Sequence, residues 1–82
     1  MIATFKKSIN VEDDGYVEFL FNRIQTAQGI RYHIYVASKW KEFFHFTMAE
    51  KNNTWKIINP QQLPGWIIQV EDQLSKEIIA HL

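Results

Sequence analysis

The sequence predicts an α+β domain: an antiparallel β-meander of four to five strands with one C-terminal α-helix packed across one face. Three observations predict it. Residues 1–58 break into short β-branched and aromatic runs separated by turn residues. Two of those runs alternate apolar and polar side chains with period two. After Pro60 and Pro64 the apolar spacing changes to that of a helix.

The turns come from Asp13-Asp14-Gly15, Gln28-Gly29 and Lys51-Asn52-Asn53, since Gly and Asn accept positive φ. Strands are expected near 2–10, 16–26, 30–37, 42–50 and 54–58. In the second, Val17, Phe19 and Phe21 share one side while Tyr16 and Leu20 share the other. A strand apolar on both sides asks for cover on both. In the third, Ile30, Tyr32, Ile34 and Val36 share a face opposite Arg31, His33, Tyr35 and Ala37. In the fourth, Phe44, Phe46 and Met48 oppose Phe43, His45 and Thr47. Keeping both apolar faces together requires a same-parity register. Pairing Val36 with Glu42 meets that condition, makes Ala37–Lys41 the loop, and sets Arg31 opposite Thr47, His33 opposite His45 and Tyr35 opposite Phe43.

Pro64 fits the first position of the helix, and Pro60 keeps the preceding link extended. At ~100° per residue, Ile67, Val70, Leu74 and Ile78 form one stripe, with Leu82 at its edge. Ile68 and Ile79 fall outside the stripe, on a polar flank. Trp55 and Trp66 are expected where sheet meets helix, each indole N–H finding a carbonyl. Apolar strand faces and the helix stripe then seal each other as two layers, in one domain spanning 1–82.

The 82 residues carry nine basic and nine acidic side chains, with 46% hydrophobic and 15% aromatic residues. Zero net charge argues against a protein that grips nucleic acid mainly through phosphates. The charge is nonetheless uneven: residues 23–56 sum to +4, and the segments 1–22 and 60–82 to −2 each. With no cysteine, neither a disulfide framework nor a thiolate metal site is available. No signal-peptide pattern or membrane-length apolar run is present, so a cytoplasmic location is the expectation.

Residues 30–46 hold six aromatic rings, two histidines and three cations. The polar face of strands three and four therefore gives a candidate ligand or nucleic-acid surface of Arg31, His33, Tyr35, Lys41, Phe43 and His45. Trp40, in the loop between Lys39 and Lys41, is its partner-contact candidate. The order of elements is similar to that of Whirly proteins and Pur-type repeats, a likeness of topology alone. It implies single-strand binding.

His33 and His45 could begin a zinc site, but no third or fourth ligand accompanies them, and Glu42 has the wrong parity. No metal and no cofactor is assigned. The imidazole of His81, on the last helical turn, complements the helix dipole. The Glu12–Gly15 run lacks the ligand spacing of a calcium loop and reads as a hairpin turn. No nucleophile–base grouping, phosphate loop or paired carboxylates occurs, so catalysis is not expected; a metal-assisted hydrolase around the two histidines is a remote alternative.

The expected function is a small non-catalytic interaction module whose partner is a second copy or another protein. Tyr16, Leu20, Ile68 and Ile79, the apolar groups left outside one core, are its candidate dimer contacts. The alternative is a single-stranded nucleic-acid binder on the aromatic and basic face. No membrane role is expected.

Overall fold

The computed structural model describes residues 4–11, 15–38 and 41–81. Five antiparallel strands form one sheet in the order β1-β2-β3-β4-β5: β1 (Thr4–Asn10), β2 (Tyr16–Thr26), β3 (Gly29–Ala37), β4 (Phe43–Lys51) and β5 (Thr54–Ile57). A 3-10 turn (Pro60–Gln62) leads to α1 (Gly65–Ile68) and α2 (Glu71–Ala80). The expected meander and its α+β class are present.

The alternating faces fix which side is covered. Val17, Phe19, Phe21, Tyr32, Ile34, Val36, Phe46, Met48, Trp55 and Ile57 are buried on one side of the sheet, against Ile67, Val70, Leu74 and Ile78. All four residues of the expected helical stripe therefore lie in the core. Phe5 extends the core to β1, stacking on Phe21 at 4.5 Å and on His81 at 3.7 Å. His81, whose Nδ1 lies 2.9 Å from the Glu77 carbonyl, thus closes the end of α2 over β1.

The helix itself differs from expectation. It is two pieces, because the Val70 N–H bonds to the Ile67 carbonyl and Val70 adopts φ −101°, ψ 12°. Pro64 precedes α1 with ψ 154° instead of occupying its first turn, and its carbonyl accepts from the Ile67 and Ile68 N–H groups. The break lets both pieces lay their buried residues on a twisted sheet, which one straight helix follows less closely. Leu82 lies outside the described residues.

The β3–β4 register is also offset from the expected one, by two residues. Val36 faces Phe44, Ile34 faces Phe46 and Tyr32 faces Met48. Parity is kept, so every core residue remains inside, but each has a different neighbour. The cause is the connection. The Ser38 N–H donates to the Glu42 carbonyl at 2.8 Å, the Lys41 N–H to the Ser38 carbonyl at 2.9 Å, and the Glu42 N–H to Ser38 Oγ at 3.2 Å. Lys41 takes a left-handed φ of 64°, unusual for a residue with a Cβ. These bonds extend the ladder to Ala37 and Phe43 and put Glu42 in the loop, not at the sheet margin.

The exposed edge of β5 is tied down by α2. The Trp55 N–H donates to Ser75 Oγ at 2.9 Å and the Ile57 N–H to Glu71 Oε2 at 2.8 Å. An edge strand otherwise offers such groups to other chains. Trp66 packs as expected, edge-on to Phe19 and Phe44. Trp55 is buried against Tyr32 at 5.2 Å and 87°, yet its indole Nε1 finds no hydrogen-bond acceptor, contrary to expectation.

Two substitutions test this packing by urea unfolding. Phe19→Ala is expected to cost about 3–5 kcal/mol through the cavity it leaves. Ser75→Ala is expected to cost about 1–3 kcal/mol, because it strands the buried Trp55 N–H; an unchanged midpoint counts against the edge-tying role.

Candidate functional site: the open face of the sheet

Residues of the opposite parity form the second face of the sheet, which neither α1 nor α2 covers. The register sets them in rows. Lys6, Leu20, Tyr35 and His45 cross the sheet in one row. Thr4, Asn22, His33 and Thr47 form the next, and Ile24, Arg31, Ala49 and Lys56 the one after. Ala37 and Phe43 close the end of the β3–β4 ladder.

The two-residue offset corrects the expected pairs. Arg31 faces Ala49 rather than Thr47, His33 faces Thr47 rather than His45, and Tyr35 faces His45 rather than Phe43. The two histidines nevertheless meet diagonally, their ring centroids 5.4 Å apart and 19° from parallel. Tyr35 lies 4.9 Å from His33 and 6.0 Å from His45, so three rings make one continuous patch. His33 Nδ1 is 3.2 Å from Thr47 Oγ1. Burial, and then the neighbouring His45, hold the His33 imidazole below the ordinary histidine value and so disfavour its cation.

Of the sequence candidates, Arg31, His33, Tyr35, Phe43 and His45 share this face. Lys41 is exposed in the loop, and Trp40 lies outside the described residues. Phe43 is 81% exposed and Tyr35 44%. Leu20 belongs to the same face, half-buried beside Tyr35, and Tyr16, 75% exposed, stands at the start of the same strand. Ile68 and Ile79 are exposed as well, at 40% and 46%, but they sit on the helical layer. The four candidate dimer contacts therefore do not form one patch, because the sheet separates Tyr16 and Leu20 from Ile68 and Ile79.

Sequence reading placed Thr47 on this face but missed Lys6, Glu18, Asn22, Lys56 and Ile58 as members of the surface. Their parity was readable; their neighbours depended on pairings that parity alone does not set. Charge also sorts by face rather than by segment. Among the described residues, the open face carries Lys6, Arg31, Lys51 and Lys56 against Glu18 alone.

Two shallow hollows flank the rings. One of about 270 Å³ is lined by Glu18, Leu20, Tyr35, Phe43 and His45. The other, about 230 Å³, lies between His33, His45 and Thr47 and the turn bearing Asn59 and Gln62. A larger hollow of about 560 Å³ beside the β4–β5 hairpin holds no histidine and one carboxylate, Glu50. Among the described residues no three His, Cys, Asp or Glu side chains cluster in a way that could hold a metal. No helix among them is long and apolar enough to cross a membrane.

The chain matches no family model, and no curated protein and no solved structure shows significant similarity to it.

The lowered His33 proton affinity has a consequence for folding. Its contribution to stability is present above the unfolded-chain value of ~6.5 and is lost as pH falls through the lower folded value. The urea midpoint of the wild type is therefore expected to drop between pH 7 and pH 5. The drop is expected to be smaller in His33→Asn. Equal drops in both proteins rule out this role.

Proposed function

We propose that the protein is a non-catalytic interaction module whose open sheet face takes a second copy of the chain. One observation carries the reading: among the described residues the helical layer covers one side of the five-stranded sheet, and the other side exposes Phe43, Tyr35, Tyr16 and Ile24. Rings at these positions are typical of interface centres, which are poor in charge and ringed by polar groups. The open face has that layout. Leu20, Asn22, His33, Tyr35, His45 and Thr47 at its middle carry no charge while the imidazoles are neutral. Lys6 and Lys56 lie on the two edge strands and Lys51 at a hairpin end, while Arg31, two residues from His33 on β3, is the one cation on the middle strand among the described residues.

Size supports the same reading. The molecule measures 35 × 27 × 19 Å. Strands of nine to eleven residues account for the longest dimension and five neighbouring strands for the second. The open face offers at most roughly 900 Å², and a specific dimer buries about 800 Å² per partner. With the edge N–H groups of β5 already bonded to α2, the free surface there is a face and not a strand edge.

A second reading draws on the same residues. Three touching rings with Arg31, Lys6 and Lys56 around them could stack bases and hold phosphates of a single strand. Cations outnumber carboxylates on this face despite the neutral chain.

Sedimentation at pH 8 separates the two. Self-pairing is expected to give a particle of twice 9.8 kDa. Tyr35→Asp and Phe43→Asp, both at exposed positions, are expected to return it to monomer without altering the urea midpoint of the monomer. A monomer at millimolar concentration sinks the self-pairing reading. In the same buffers, a labelled single-stranded oligonucleotide is expected to bind weakly and without competing with the dimer. Tight binding that weakens steeply with salt and is lost in Tyr35→Asp favours the second reading instead.

A further inference from the structure

We propose that pairing of the open faces is switched by protonation of His33 and His45, so that the dimer holds near pH 8 and separates near pH 5. The inference rests on the self-pairing reading above. Its starting point is position. His33 is the middle residue of β3, and β3 is the middle strand of the sheet. When two copies of one face meet about a two-fold axis, each residue pairs with a different one except at the axis, where residues meet their own copies, and an axis through the middle of the patch falls near His33. His33 and His45 of one copy then approach the same pair of the other.

Among the described residues no carboxylate stands in the row of either histidine, and Glu18 shares only a hollow with His45. From β2, Asn22 stands opposite His33 and Leu20 opposite Tyr35. From β3 come Arg31 and Tyr35, and from β4 Thr47, Phe43 and Ala49. The turn after β5 contributes Ile58, Asn59 and Gln62, all uncharged, beside both histidines. The charged groups of this face around the rings include Arg31 along the strand, Lys6 across the sheet in the row of His45, Lys56 in the next row but one, and Glu18, which lines a hollow with His45. Among the described residues Glu18 is set against Lys6, Arg31 and Lys56, and Lys56 is also 3.9 Å from Glu71 of α2, which leaves a smaller cationic excess. Protonating both rings adds two positive charges per copy to a surface already in cationic excess, and a covering sheet removes the water that would screen them.

The sign follows from linkage. Burial already disfavours the His33 cation in the single chain. A second sheet over it deepens that effect, so the monomer binds protons more readily than the dimer. Association is therefore strong above the monomer's proton affinity and is lost as pH falls through it. If pairing lowers the proton affinity of each of the two His33 rings tenfold, the dimer weakens about 100-fold.

Sedimentation at pH 8 and pH 5, at fixed ionic strength, tests the switch on the wild type, on His45→Gln and on a His33→Asn/His45→Gln double variant. Circular dichroism at each pH checks that the chains remain folded. The expected result is a dissociation constant that rises about 100-fold or more on acidification in the wild type. It should rise less in His45→Gln and stay within about threefold in the double variant. If the wild-type dimer ignores pH, or the double variant separates in acid as the wild type does, the switch is wrong and self-pairing stands. A wild type that stays monomeric at both pH values removes the self-pairing reading, and the switch with it.

Discussion

One helical layer can seal one side of a five-stranded sheet, and the rest of this molecule follows from that limit. The chain spends its helix residues Ile67, Val70, Leu74 and Ile78 on the side where Phe19, Phe21, Ile34 and Met48 converge, and all of these are buried. Among the described residues neither helical piece reaches Tyr35, Phe43 or Tyr16, which are exposed. Because β-strands alternate, a sheet that presents a dry side to the helices must present every second residue to the other side. The composition of that second side is then a free choice of the sequence. Here it is rings, imidazoles and hydroxyls at the middle with cations toward the margins.

The handling of the β5 edge narrows what the second side can do. Ser75 and Glu71 reach from α2 to accept the Trp55 and Ile57 N–H groups. These bonds fasten the helical layer to the shortest strand and block addition of another strand through those groups. β1 carries Lys6 and Lys7, a common way of discouraging strand addition at the opposite edge. Contact with a partner is thereby directed to the broad face, where area and not backbone pairing supplies the affinity.

The ring patch also shows how little local geometry decides about a surface. Tyr35, His33 and His45 touch because the Ser38–Glu42 connection closes with hydrogen bonds among Ser38, Lys41 and Glu42 and a left-handed Lys41. The alternative pairing of the same parity buries the same strand residues. It would have set His33 directly against His45 and left Phe43 beside Tyr35. Core burial does not distinguish these registers; the hydrogen bonding of the turn does.

The strands and their order, the two faces and the buried helical stripe were legible in the residues themselves. Each depends on short-range periodicity: two for Ile30–Val36 and Phe44–Met48, and near 3.6 for Ile67–Ile78. The membership of His33, Tyr35, Phe43 and His45 on one face was legible for the same reason. The break at Val70 was not, because it depends on fitting two helical pieces to the twist of a sheet that the helix sequence does not encode. Nor was the register, since a positive φ at lysine has no signature in composition. The separation of Ile68 and Ile79 from Tyr16 and Leu20, and the sorting of Lys6, Arg31 and Lys56 onto one side, belong to tertiary structure alone. Parity assigns a residue to a face of its own strand, and only the packed sheet decides which of those faces meets the helix and which meets water.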